Sequence, residues 1–184
     1  MTERSMSRIL IVRTGLFSRG DSMNEDSLSM ILKGVRRLLV LGIGNEFQGD
    51  DGVGVALARR LRKRWRSSKD SRAMDVGLNP ENAIAVVRRY GPTHVLLVDA
   101  ADMGLPPGSI RIVERGRVSG LNISTHGISL SLIADYLERE IGAKITLIGI
   151  QPFRVGPVTA ISGPVAKSID LLEVALSNAA KKGS

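Results

Sequence analysis

The chain has no cysteine among its 184 residues. It can therefore form no disulfide, bind no metal through a thiolate and use no cysteine as a nucleophile. Aromatic residues are scarce, at 3% of the chain, so it has few of the stacking side chains that bind single-stranded nucleic acid. Imidazole is available only from His94 and His126.

Long hydrophobic runs are also missing. No stretch of 18 or more uncharged apolar residues predicts a transmembrane helix, and no long apolar segment near the N-terminus predicts a signal peptide. We therefore expect a cytoplasmic protein. A hydrophobic content of 43% can support one core, so we expect one domain at 36–184. Residues 1–35 are expected to lie outside the core as an appendage, either disordered or preceding a misassigned start, with a short helix between Asn24 and Leu32.

The formal net charge is +8. Eight of the basic residues lie close together between residues 59 and 72. Three interpretations of this basic segment are open: a solvated helix face, a surface for an acidic protein, or a nucleic-acid site. The shortage of aromatic residues favours the first, and we expect neither a nucleic-acid nor a membrane partner. The segment consists of Arg59, Arg60, Arg62, Lys63, Arg64, Arg66, Lys69 and Arg72.

From residue 37 onward, segments whose apolar residues are spaced as in strands alternate with segments whose apolar residues are spaced as in helices. This alternation predicts an α/β three-layer sandwich, with a twisted, mostly parallel sheet of about five strands and helices on both faces. Functional groups in such sheets gather beyond the carboxyl ends of the strands. Strands are predicted at 38–43, 74–77, 95–98, 109–114 and 144–150, and helices at 53–65, 80–90, 128–141 and 165–180.

A glycine-rich turn follows the first of these strands and leads to Asp50 and Asp51. It does not match the dinucleotide fingerprint, because Phe47 stands where the third glycine belongs. It does not match the P-loop, because the two aspartates occupy the lysine and hydroxyl positions. A peptidyl-tRNA hydrolase would need a Pro-Gly where Glu46 and Phe47 stand. A structural interpretation remains open, in which Asp50 caps the next helix and Asp51 lies in its first turn.

Two more polar residues follow predicted strands. Asp99 comes directly after the apolar run 95–98, and His126 precedes the helix at 128–141. Taken singly, each has a structural explanation as a turn, cap or first-turn residue. Together with Asp51 they would form an open half-site for a divalent metal such as Zn, Ni, Mn or Fe. His94 lies at the opposite end of its strand, where we expect a surface residue.

From about residue 37 to the C-terminus, the chain resembles the hydrogenase maturation endopeptidases. The resemblance rests on several separated motifs in the same order. Two of them, Asn79-Pro80-Glu81-Asn82 and the Gly-Ile-Gln-Pro element at 149–152, are similar to the hydrogenase-3-type and archaeal branch. The stretch before about residue 30 departs from the family pattern. The other motifs are Gly42-Ile43-Gly44-Asn45, the run 49–54, Val98-Asp99-Ala100 and Ser124-Thr125-His126.

The resemblance implies a phosphorylase/hydrolase-like fold and an endopeptidase of the aspartic type by family classification. Its substrate would be the nickel-iron hydrogenase large-subunit precursor, whose C-terminal extension is removed after nickel insertion. The metal-contacting positions fall on Asp51, Asp99 and His126, and the catalytic positions on Asp51 and Asp99. Nickel would arrive with the substrate, and another divalent metal could occupy the resting site. The resemblance further implies a monomer with no other cofactor.

The resemblance leaves the chemistry of the cut open. Serine, zinc and Asp-Thr-Gly or Asp-Ser-Gly protease motifs are absent from the sequence, so water is the expected nucleophile. It could be activated by metal or by a carboxylate such as Asp51. Asp50 and Asn45 are expected to support the loop. Two alternative functions remain: a non-catalytic nickel-checking maturation chaperone and an RNA-associated hydrolase.

Overall fold

The computed structural model describes residues 23, 25–113, 122–123 and 127–182. Within these ranges the helices are α1 (Glu25–Ile31), α2 (Val53–Arg64), α3 (Ile84–Tyr90), α4 (Gly127–Ile141) and α5 (Gly163–Lys182). The strands are β1 (Leu38–Ile43), β2 (Ser71–Gly77), β3 (His94–Asp102), β4 (Ile110–Val113), β5 (Asn122–Ile123) and β6 (Lys144–Ile150). Short 3-10 turns at Asp50–Gly52 and Pro80–Ala83 precede α2 and α3. No helix in these ranges offers an apolar stretch long enough to cross a membrane.

The sheet has the strand order β2-β1-β3-β6-β4. Its first four strands run parallel, and β4 pairs antiparallel with β6. The two-residue β5 pairs antiparallel with the end of β3. From β1 the chain passes first to β2 on one side and then to β3 on the other, so the carboxyl ends of β1 and β3 flank a topological switch point. Ligand sites of open α/β sheets lie at such points.

Alternate residues of each buried strand divide the core into two layers. Leu38 and Val40 of β1 face a cluster built with α1, α2 and α5, whereas Leu39 and Leu41 face a cluster built with α3 and α4. All six β1 residues are buried, as expected for a parallel strand covered on both faces. The predicted α/β sandwich with helices on both faces is confirmed.

Several predicted details of the strands differ from the structure, and the two-residue β5 was not predicted. The second strand begins at Ser71 rather than residue 74, because the alternation of buried and more exposed residues extends back to Ser71. The third strand does not end before Asp99 but continues to Asp102, since β5 and β6 both pair with its final residues.

His94 is buried, at 6% exposure, so its assignment to the surface was wrong. Burial and the nearby Lys144 ammonium lower the pKa of His94 and favour its neutral form.

The N-terminal segment contributes to the core, contrary to expectation. The short helix predicted there is present as α1, and Leu28, Ile31 and Leu32 are each at most 8% exposed within the cluster under α5. The ammonium of Lys144 donates to the carbonyl oxygen of Ile31 at 2.9 Å. Residues 28–32 therefore belong to the packed domain. The expectations for residues 1–22 concern residues outside the described ranges.

Gly54 lets α2 approach the sheet. A Cβ at this position would overlap the carbonyl oxygens of Val98 and Ile43, and backbone atoms in a packed sheet cannot move aside. We expect Gly54→Ala to lower the free energy of unfolding by about 3 kcal/mol through overpacking, as measured by urea denaturation. Gly163→Ala is the matched control, because nothing lies within 4 Å of its Cβ position. A Gly54→Ala protein as stable as this control would contradict the prediction.

Candidate active site

Two aspartates lie beside the switch point. Asp51 follows β1 in the 3-10 turn Asp50–Gly52, and Asp99 is the sixth residue of β3. Both are largely buried, at 8% and 5% exposure. Gly44 lies next to both residues. A Cβ built there would overlap the backbone carbonyl oxygen of Asp51 and would lie 3.6 Å from the side-chain Oδ1 of Asp99. The structure therefore brings together two of the three residues predicted to hold metal.

Hydrogen bonds within the turn hold Asp51. Its Oδ2 accepts the backbone N–H of Asn45 at 2.8 Å, and Asn45 Oδ1 accepts the N–H of Phe47 at 3.0 Å. Neither the 3-10 turn nor α2 has a side-chain cap at its start, so the interpretation of Asp50 as a helix cap is wrong. Asp51 does lie in the first turn of the short 3-10 helix. We call residues 44–52 the acid loop. Asn45 supports this loop, as predicted.

Asp99 is fixed within its own strand. Its Oδ1 accepts the N–H of Ala100 at 2.8 Å, and its backbone pairs with Gly149 of β6. The side chain is thus carried by a strand paired along its length. A site on such a strand is held more precisely than one on a loop.

Asp50 joins the acid loop to a distant part of the chain. Its carboxylate accepts the N–H groups of Phe153 and Arg154, each at 2.9 Å, and the N–H and hydroxyl of Ser162 at 2.7 and 2.8 Å. We call residues 151–162 the C-terminal loop. The two loops also pair through a bridge between Gly49 and Val155. Asp50 thus has the supporting role predicted for it, with partners more than 100 residues away.

The hydrogen bonds to Asp50 favour its charged form. Complete burial opposes ionisation, but three backbone N–H groups and the Ser162 hydroxyl outweigh that effect and lower the pKa of Asp50. A carboxylate with four donors is satisfied and is not available to a substrate. This separates Asp50 in function from its neighbour Asp51.

Gln151 fixes a third segment at the same edge of the sheet. Its Oε1 accepts the N–H groups of Met103 and Leu105 at 2.7 and 3.2 Å, and its Nε2 donates to Asp102 at 3.1 Å. The side chain is 7% exposed. Gln151 therefore connects the end of β6 to the turn that follows β3.

His126 lies outside the described residues, and its role stays a prediction. Its nearest described neighbours in sequence are Ile123, which pairs with Ala101, and Gly127, the first residue of α4. The described residues contain no group of three His, Cys, Asp or Glu side chains placed to hold a metal. Two carboxylates alone supply an incomplete ligand set, which fits a cation that brings further ligands with it.

Intramolecular ion pairs neutralise much of the basic segment. Arg59 pairs with Glu46 and Asp75, and Arg62 also pairs with Asp75. Arg60 reaches Asp170 and Glu173 of α5, the second of which lies 3.5 Å from Arg64. These contacts favour a solvated helix face over a site for nucleic acid.

Comparison with known proteins identifies the family. A family model described as hydrogenase maturation protease matches residues 55–178, well over half of the chain. The chain belongs to the hydrogenase maturation protease family. The hydrogenase 3 maturation protease of Escherichia coli is 35% identical to this maturation protease over 133 residues, covering 72% of this chain and 83% of that protein.

Solved structures agree with this assignment. The crystal structure of a NiFe hydrogenase maturation protease from Thermococcus kodakarensis has a TM-score of 0.76 at 30% identity, covering 84% of this chain and 98% of that chain. The solution structure of the E. coli endopeptidase HycI has a TM-score of 0.64 at 33% identity, covering 75% and 87%. The maturation protease described here is thus a hydrolase of the endopeptidase class.

Several supporting residues were not predicted from the sequence. Ser162 carried no recognised signal, because a single serine before a helix is common, whereas Gly44 stood in a motif quoted for its family resemblance with no role assigned to it. Gln151 stood in a motif quoted for its family resemblance, and its position as a polar residue directly after a buried strand could have marked it as a site-edge residue.

Proposed function

We propose that this maturation protease removes the C-terminal extension of a nickel-iron hydrogenase large-subunit precursor after nickel insertion. The observation that carries the proposal is the placement of two largely buried aspartates, Asp51 and Asp99, next to Gly44, which lies against the Asp51 backbone carbonyl and near Asp99 Oδ1. Cutting one peptide bond next to a metal requires acidic side chains at a fixed position, and these two are held by a turn and a paired strand.

Nickel belongs to the substrate in this proposal and serves as the recognition element. The protease has no cysteine, so thiolate ligands for nickel would come from the precursor. Asp51, Asp99 and, by family resemblance, His126 would complete the coordination of a metal that arrives partly liganded. A precursor without nickel would leave these side chains with nothing to hold, and cleavage would wait for insertion.

Hydrolysis proceeds by addition of water to the scissile carbonyl. We assign Asp51 as the group that accepts a proton from this water, and the proton is then delivered to the leaving amine as the C–N bond breaks. Asp50 takes no part, because its four donors occupy it. The hydrogen bond from the Asn45 backbone N–H holds the Asp51 carboxylate in place within the acid loop. The reaction is expected to take place in the cytoplasm with a monomeric enzyme.

The test is incubation of the purified protease with nickel-loaded and nickel-free precursor, with the mass of each product measured by mass spectrometry. We expect shortening of the nickel-loaded precursor only. Binding of the loaded precursor without shortening would instead support a maturation chaperone. Cleavage of both forms would contradict recognition through nickel while leaving the endopeptidase activity intact.

A further inference from the structure

A cleft of about 180 Å³ lies between the acid loop and the C-terminal loop. It is much smaller than the roughly 300–1,000 Å³ of typical small-molecule and cofactor sites, so its size suits one amino-acid side chain. The cleft is lined by Glu46, Phe47, Gly52, Val55, Ala56, Arg59, Thr159 and Ile161.

The cleft adjoins the part of the acid loop that carries Asp51, although neither Asp51 nor Asp99 is among its lining residues. Its lining residues Glu46 and Gly52 directly follow Asn45 and Asp51, which are hydrogen bonded to each other. Its opposite wall, with Thr159 and Ile161, belongs to the C-terminal loop that Asp50 holds. A peptide whose scissile bond lies at Asp51 would therefore place a neighbouring side chain at this cleft.

The charges at the cleft cancel one another. Arg59 donates two hydrogen bonds to Glu46, at 2.6 and 2.8 Å, and these keep the pKa of Glu46 below its ordinary value. Arg59 and Arg62 both pair with Asp75, so two bases face two acids. An incoming basic or acidic side chain would find no unpaired counter-charge in this group, whereas an apolar one would contact Phe47, Val55 and Ile161.

We propose that this cleft binds an apolar side chain of the precursor within two residues of the scissile bond. This inference rests on the proposed function and adds to it a specificity site formed by Phe47 and Ala56. Phe47 is 65% exposed in the free protein, and binding an apolar side chain against it would remove that surface from water.

The test compares the kcat/KM for cleavage of nickel-loaded precursor between matched variants. Ala56→Leu fills the cleft and is expected to lower kcat/KM about tenfold or more. Ala175→Leu, which enlarges another half-buried helical alanine packed against the same core, should change it less than twofold. Phe47→Ala should also lower kcat/KM, whereas Leu171→Ala, which removes an apolar side chain of similar exposure, 67%, on α5, should not. Thermal unfolding checks that each variant is folded.

Variants of the precursor provide a second readout. Aspartate is substituted singly for each of the two residues on either side of the cut, and one of these changes should cost the wild-type enzyme at least tenfold. The inference is overturned if Ala56→Leu and Phe47→Ala cleave at the wild-type rate, or if Phe47→Ala and Leu171→Ala behave alike. Failure of the wild-type enzyme to cleave any precursor would instead overturn the proposed function, and the specificity site with it.

Discussion

Asp51→Asn is expected to lower the rate of precursor cleavage by about 10²- to 10⁴-fold, the range associated with loss of a group that transfers protons. Asp99→Asn is expected to have an effect of similar size, because it removes a charged group that would hold the substrate's nickel. Asparagine keeps the shape of the side chain and one acceptor oxygen. The hydrogen bonds from Asn45 and Ala100 can therefore persist, and the melting temperature should stay close to that of the wild type. His126→Ala is expected to have a similar effect on cleavage.

Asp102→Asn is the matched control for the two active-site changes. Asp102 lies three residues beyond Asp99 on the same strand, and its exposed side chain accepts a hydrogen bond from Gln151 rather than facing Gly44. Its cleavage rate should remain within about threefold of the wild type. Normal cleavage by both the Asp51 and the Asp99 variants would contradict the assignment of these carboxylates to the chemistry.

Asp50→Ala is expected to be the most destabilising change at the site, lowering the free energy of unfolding by about 3–5 kcal/mol. The substitution leaves three backbone N–H groups and one hydroxyl without their acceptor, and each unsatisfied buried group costs about 1–3 kcal/mol. Entry of water relieves part of that cost. Urea denaturation at pH 7 measures the change, and Ser162→Ala, which removes only one of the four donors, should cost about 1 kcal/mol.

The contribution of Asp50 also has a defined pH dependence. Its pKa is lower in the folded protein than in the unfolded chain, so its ionisation stabilises the fold above the unfolded pKa of about 3.9. That stabilisation is lost as the pH falls through the folded pKa. The difference in unfolding free energy between wild type and Asp50→Ala should therefore shrink below about pH 4. A difference that stays constant down to pH 2 would show that charge at Asp50 contributes nothing.

The fold was largely predictable because its signals are local. The continuous apolar run 38–43 and the helical spacing of Val55, Ala58 and Leu61 each indicate one element, and both are present. The direction of β4 was not predictable, since alternation marks a half-exposed strand equally well in either direction. The end of β3 was misplaced because a carboxylate after an apolar run resembles a strand end, whereas Ala100 and Ala101 continue the buried pairing.

The site was predictable only in its acidic residues. Asp51 and Asp99 could be paired from the rule that parallel strands present their carboxyl ends at one edge. The partners of Asp50 could not, because local preference favours a helix cap and its actual donors lie 103–112 residues later. His94 was misassigned for a similar reason: it lies between Leu38 and Lys144 of the two neighbouring strands, which are distant from it in sequence.

The long span between Asp50 and Ser162 has a consequence for synthesis on the ribosome. The nascent chain emerges from its N-terminal end, so the sheet strands β1, β2, β3 and β6 are complete before the donors to Asp50 become available. Until residues 153–162 have emerged, Asp50 lacks the donors that join the acid loop to the C-terminal loop, and until α5 has emerged the hydrophobic face that it covers stays open to solvent. The contacts that join the acid loop to the C-terminal loop are therefore made late, and a chain released before α5 would have those donors but no closed core.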